Sequence, residues 1–186
     1  FIMDATGMPR KLAKNYNFGC LYGMGTPTMA YKFNMTLEDA RANYDIYHRK
    51  APYIKHTIRN IERVAKNRGY LRTILNRRAH VQSSSKLYTF TNRLIQGSAA
   101  DIMKKSMIEA DRAGLFDILI PHITVHDELD FSIPVNQDGV DATNELKKIF
   151  ETCIKLKVPV VANLEVGSNW YDLNEVEILT NELVQD

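Results

Sequence analysis

PRKLAKNYNFGCLYGMG, from Pro9 to Gly25, sets Arg10, Lys14, Phe18 and Tyr22 four residues apart, with glycines at 19, 23 and 25. On an α-helix each step of four overshoots a full turn by about 40°, so the four side chains form one slowly spiralling row roughly 18 Å long. Two cations occupy one end of the row and two rings the other. Cations neutralise phosphate oxygens and rings stack on a flat base, so the row suits a ligand with a polyphosphate tail and a planar head: a nucleotide. The plainer reading of the same spacing is a solvated face at Arg10 and Lys14 and core packing at Phe18 and Tyr22.

Outward from this helix, expected over about Pro9–Tyr22, Gly23, Gly25 and Pro27 interrupt helical geometry. Thr36 with Asp39 three residues on predicts a capped helix over about 37–50. Pro52 then restarts the chain, and Ile54, Ile58, Ile61 and Ala65 predict another helix ending near Gly69. Tyr70–Ser85 reads as a short hairpin followed by a polar loop at Ser83–Ser85. Apolar spacing through Ile95, Ala99, Ile102 and Ser106 predicts a helix over about 88–113 that stops at Gly114. Alternation at Ile123, Val125, Leu129, Phe131 and Ile133 predicts strands with one buried face, turning around His126-Asp127. A helix over about 141–156 and a strand over about 160–166 complete the pass. No repeat, low-complexity tract or linker divides the chain.

The composition, 45% hydrophobic and 25% charged over 186 residues, is enough for a sizeable core. Cys20 and Cys153 lie in apolar helical contexts without metal-ligand spacing and read as buried thiols of a reducing compartment. No apolar run is long enough to cross a bilayer and no leader-like segment opens the chain, so a soluble protein with no membrane partner is expected, cytoplasmic in a bacterial cell or phage-infected host, with an organelle as the alternative. The net charge of +2 says little, but its distribution says more. Basic residues dominate from Arg49 to Lys105, including Arg59, Arg63, Lys66, Arg68, Arg72, Arg77, Arg78 and Lys86, while the last fifty residues lean acidic. A local phosphate-binding surface is one reading of that stretch and simple solubility the other.

Five motifs stand in one order along the chain: the Arg10-Lys14-Phe18-Tyr22-Gly23 row, GYLRTILNRR (Gly69–Arg78), Asn92 with QGSAADIMKKSMI (Gln96–Ile108), ITVHDELDFSIP (Ile123–Pro134) and VPVVANLEVGSNW (Val158–Trp170). Together they resemble the C-terminal fingers and palm of family A DNA polymerases, the bacterial DNA polymerase I type. Two positions depart from that family's pattern: Asn76 replaces a glycine and Ser98 a threonine. The resemblance implies an α+β fold, the C-terminal part of a right-hand polymerase with mostly helices packed on a small antiparallel palm sheet. Residues 1–69 would then belong to the fingers and 70–186 to the palm.

It also implies attack of a primer 3′-hydroxyl on the α-phosphorus of a deoxynucleoside triphosphate, with two Mg²⁺ ions assisting. Asp127 is the expected metal ligand, although aspartate also favours such turns for purely local reasons. Neighbouring side chains in extended backbone project to opposite faces, so Glu128 takes a secondary role near the metals or the primer end. His126 is expected beside the primer terminus, or else serves as a structural donor. Lys14 would contact the α-phosphate and protonate the leaving pyrophosphate, and Arg10 would hold the outer phosphates. Phe18 would stack near the incoming base and Tyr22 guard the templating position. Asn92 and Gln96 would probe the minor groove of primer-template DNA, with Arg77 and Arg78 on its phosphates.

The family's other metal-bridging aspartate sits in an upstream Asp-Tyr-Ser-x-Ile-Glu motif that this sequence does not contain; Asp4, Asp101 and Asp130 lie in other contexts. Together with Phe1 at the start, this predicts a C-terminal segment that needs an upstream N-terminal polymerase segment for activity. The competing expectations are a non-catalytic nucleotide- or DNA-binding module that keeps the fold, and a helical RNA-binding or scaffold protein.

Overall fold

The computed structural model describes residue 3, residues 7–81 and residues 87–180. The polar loop expected at Ser83–Ser85, and with it Lys86 and Asp4, lies outside the described residues. Contacts divide the chain into two units, Phe1–Ser98 and Ala99–Asp186.

In the first unit, α1 spans Arg10–Leu21 and buries Ala13, Tyr16, Gly19 and Cys20. Gly23, at φ 74°, ends the turn after it. The break expected at Gly23–Pro27 is real but short: α2 begins at Thr26 and runs to Lys32, with the proline in its first turn. A missing N–H costs nothing there, because first-turn amides have no helical partner. α3 spans Leu37–Lys50, and the Thr36 hydroxyl oxygen accepts from the Asp39 amide at 3.0 Å. Glu38 and Asp39 in its first turn and His48, Arg49 and Lys50 in its last complement the helix dipole. α4 spans Pro52–Arg68 and ends at Gly69 in the left-handed region, φ 71°. Ala13, Tyr16, Cys20, Met29, Ala40 and Tyr47 form the core between α1, α2 and α3, and the Tyr47 hydroxyl donates to Asn17 Oδ1 at 2.7 Å.

β1 (Tyr70–Arg72) pairs antiparallel with β2 (Arg78–His80), and Leu71 packs with Ala65 of α4 and Phe90 of the following helix. That helix, α5, runs over Leu87–Arg112. Ile95 and Ala99 are exposed on it, against the expectation from spacing; Phe90, Thr91, Asp101, Met103, Ser106 and Ala110 are its buried positions.

In the second unit, Gly114 at φ 74° stops α5 and a 3-10 turn follows at Leu115–Asp117. β3 (Ile120–Val125) and β4 (Glu128–Ser132) form a hairpin whose turn is His126-Asp127. The predicted buried face is half realised. Leu129 and Phe131 pack against Ala110, Leu115, Leu119, Ala142 and Leu146, whereas β3 is exposed along its whole length. α6 spans Gln137–Thr152, starting four residues before the predicted 141 because Asn136 caps it: its Oδ1 accepts from the Gly139 amide at 2.9 Å. The last strand also differs from expectation. β5 covers Leu164–Asn169 and has an antiparallel partner, β6 (Asp172–Val176), that alternation did not reveal. The α+β class holds, with the strands forming three separate two-stranded hairpins among the described residues rather than one sheet.

Candidate nucleotide and DNA site

α1 separates its two faces cleanly. Tyr16 and Cys20 are fully enclosed, while Arg10, Lys14 and Phe18 are exposed and Tyr22 is half-buried at the helix end. Phe18 is 41% exposed, so the core reading of this ring is wrong. Its ring lies parallel to that of Tyr22, 8° between planes and 6.0 Å between centroids. Neither Arg10 nor Lys14 forms an ion pair among the described residues. Among the described residues, the row therefore stands in solvent as two cations without an ion-pair partner, followed by two aligned rings.

Tyr22 connects this row to α5 through a long contact, Gln96 Nε2 to the tyrosine hydroxyl at 3.4 Å. Around Gln96, an open depression is lined by Asn92, Arg93, Gly97, Thr89, Arg77 and His80. Asn92 and Gln96 are one helical step of four apart, and both are exposed. Arg77 arrives from the β1–β2 turn, where its guanidinium donates to the Gly97 carbonyl at 2.9 Å and its amide to Thr73 Oγ1 at 3.1 Å. The turn is held to α5 a second time, the Ile74 amide donating to Ser98 Oγ at 3.1 Å. A serine hydroxyl supplies this acceptor as well as a threonine would. A Cβ on Gly97 would come within 3.1 Å of Thr73 Cγ2 and 3.3 Å of Arg77 Nη2, so any larger residue would press on the two side chains that hold this turn. Asn76, the other departure, takes φ 69°, a conformation that asparagine tolerates better than most residues, and its side chain accepts from Arg72 Nη1 at 2.6 Å. Arg78 does not join the depression; its guanidinium lies 4.9 Å over the Tyr70 ring. Spacing did not single out Arg93, which donates to the His80 carbonyl, or Thr89. The available signal was spacing by three, Thr89 to Asn92 and Arg93 to Gln96.

His126, Asp127 and Glu128 lie exposed at the tip of the β3–β4 hairpin in the second unit. His126 takes φ 57°, an uncommon conformation for a residue with a Cβ and one that collects at functional sites. Asp127 and Glu128 line a cleft of about 580 Å³ with Asp130, Lys147, Glu165 and Trp170. Asp130 was set aside in sequence for want of a motif. The alternation of β4 puts it on the same face as Glu128, and its Oδ2 is shielded from solvent without a hydrogen-bond partner among the described residues. Carboxylate oxygens are the donors that Mg²⁺ prefers, so the chemistry of this set fits the ion. Its number does not, since no group of three or more His, Cys, Asp or Glu side chains converges among the described residues.

Comparison with known proteins gives this geometry its context. The family model for DNA polymerase family A matches residues 2–172. DNA polymerase I of Streptococcus pneumoniae is 32% identical over 181 residues, covering 91% of this chain and 20% of that protein. DNA polymerase I of Borreliella burgdorferi is 33% identical over 180 residues, covering 89% and 19%. Among solved structures, the POL domain of Pol1 from M. smegmatis, in complex with DNA primer-template and dNTP, superposes with a TM-score of 0.76 at 25% identity, covering 85% of this chain and 31% of that one. The chain thus spans about a fifth of the length of the curated relatives it matches. Over the matched residues, it belongs to DNA polymerase family A.

Proposed function

We infer that this chain is the C-terminal catalytic segment of a DNA-directed DNA polymerase, residues 1–69 serving as part of the fingers and 70–186 as the later palm, acting in DNA replication or repair in the cytoplasm. The observation that carries this reading is the solvent-facing row on α1, whose last ring meets Gln96 beside Asn92 and Arg77. A nucleotide-binding row ending at a cluster of amides and a guanidinium suits a triphosphate laid against the end of a base-paired primer-template.

In the reaction, the primer 3′-hydroxyl oxygen gives up its proton to solvent and bonds to the α-phosphorus of a deoxynucleoside triphosphate, the bond from that phosphorus to the bridging oxygen breaks, and pyrophosphate leaves. Lys14 contacts the α-phosphate and supplies the proton that the pyrophosphate takes up, and Arg10 holds the outer phosphates in a bidentate grip. Phe18 stacks on the incoming base and Tyr22 stands at the templating position. Asn92 and Gln96 face the minor groove, with Arg77 and Arg78 toward backbone phosphates. Asp127 would hold Mg²⁺, with Glu128 and His126 near the primer end; the ion, when bound, neutralises developing phosphate charge and acidifies the attacking hydroxyl. A second carboxylate comes from the upstream polymerase segment.

Primer extension tests this reading. The chain alone is expected to extend nothing, and mixing with an upstream segment bearing the second aspartate is expected to restore extension. In that mixture, Lys14→Ala or Asp127→Asn lowers the rate at least about a hundredfold, the usual scale for a positioned proton donor or electrostatic group. An active mixture indifferent to both substitutions would refute the assignment of roles. A chain that binds primer-template and nucleotide but never supports extension is the non-catalytic module.

A further inference from the structure

The hydroxyl that ties α1 to α3 lies at the margin of the nucleotide row. Tyr47 of α3 is 1% exposed, and its hydroxyl donates to Asn17 Oδ1 of α1 at 2.7 Å. At about 100° per residue, Asn17 stands about 40° around the helix from buried Ala13 and about 60° from exposed Lys14, on the seam between the two faces. Phe18 is the next residue in the chain. On the buried side of that seam, α1 contributes the small residues Ala13, Gly19 and Cys20, and α3 contributes Ala40, which offer few steric stops against rotation of the helix. Tyr16 is the large side chain there, but its hydroxyl has no hydrogen-bond partner among the described residues, so it adds packing without direction. Packing alone calls for no hydroxyl at Tyr47 either, since a phenylalanine ring would fill the same site without a polar group to desolvate.

A rotation of α1 by about 20° moves a group at its outer radius, about 5 to 6 Å, by about 2 Å. Arg10 and Lys14, on long flexible stems, re-aim at a phosphate after such a shift. Phe18 and Tyr22 do not, because a ring on two side-chain torsions moves with its backbone. The parallel pair that these rings form is thus the part of the row that depends on how α1 is turned. We propose that Tyr47 is a positioning residue for recognition of the nucleotide base: its hydroxyl fixes Asn17, and through it the rotation of α1 that presents the Phe18–Tyr22 pair. The proposal rests on the reading of α1 as a nucleotide row and deepens it, giving base stacking a structural support that phosphate binding does not share.

The test is equilibrium dialysis of two ligands, dATP and inorganic tripolyphosphate, against the full chain. Wild type is expected to bind dATP the more tightly, the surplus coming from base stacking. Tyr47→Phe keeps the ring and removes the hydroxyl; it is expected to lower dATP affinity about threefold to tenfold, the scale of one hydrogen bond, and to leave tripolyphosphate affinity unchanged. Asn17→Ala, at a half-buried position, is expected to give the same loss from the other side of the contact. The double variant is expected to lose no more than either alone, as for two groups that act through one bond. Matching thermal unfolding of the variants shows that the fold is intact. Equal loss of both ligands in Tyr47→Phe marks a merely structural bond and overturns the proposal, as does loss of neither. Wild type binding both ligands alike would refute stacking by the row itself, and the proposal with it. Failure of primer extension with the dATP-specific loss present would count against the polymerase reading and leave the role of Tyr47 standing.

Discussion

Phe18 and Cys20 lie two positions apart on α1 and meet opposite environments, one ring in solvent and one thiol enclosed. Burial pushes the Cys20 thiol up to about 12. Since the thiolate is the reactive species, Cys20 is expected to resist maleimide in the native protein and to react on unfolding, which mass spectrometry of the labelled peptides would show. His48 is a second case. Its ring stands edge-on to Tyr44 at 4.3 Å and to Tyr47 at 5.1 Å, and neither of its nitrogens has a hydrogen-bond partner among the described residues. Burial lowers its pKa, Lys55 across on α4 lowers it further, and Asp45 on its own helix acts the other way. A histidine depressed below its unfolded value of 6.5 leaves the fold at full stability above that pH and weakens it as pH falls through the folded value. The melting temperature is therefore expected to drop as pH falls below 6.5, and to drop less in His48→Phe, where nothing titrates. Spacing identified the cations and rings of α1 but left open whether Phe18 was core, because which face of a helix meets solvent depends on α2 and α3.

At the scale of elements, local chemistry was most readable where a side chain acts on its own backbone. The Thr36–Asp39 cap and the Gly69 and Gly114 stops predicted their helix ends closely. Where a contact is made across the fold, spacing said little. The β5–β6 turn is set by Asn169, whose Oδ1 accepts from the Tyr171 and Asp172 amides at 3.0 and 3.1 Å, a local signal that lay beyond the strand expected there. The exposed face of β3 broke an alternation rule that assumes a covering layer. The β1–β2 turn depends on Gly97 in the same non-local way. Gly97→Val would drive its branches into Thr73 and Arg77, costing about 1 to 3 kcal/mol and displacing the guanidinium. Chemical denaturation and duplex binding are both expected to weaken, and a variant as stable and as tight as wild type would show that the turn can give way.

For the molecule as a whole, the five motifs in order identified the family before any contact was known, because a motif is read residue by residue whereas packing is constrained jointly. The family match ends at residue 172, yet the structure continues through β6 to Leu179, which is fully buried with Val140 and Leu164. Asn144 of α6 closes over that segment from both sides, its Oδ1 accepting from the Leu179 amide at 2.9 Å and its Nδ2 donating to the Leu179 carbonyl at 3.0 Å. Lys147 donates to the Glu177 carbonyl at 2.6 Å. Leu179→Ala is expected to cost about 2 to 5 kcal/mol in a denaturant titration, the range for emptying an enclosed leucine site. Anyone trimming a gene to the homology boundary would strip the latch from its catch: α6 would keep an asparagine shaped for a peptide no longer there, and the shortened product would come out of expression sticky on a flank that the untrimmed chain keeps dry.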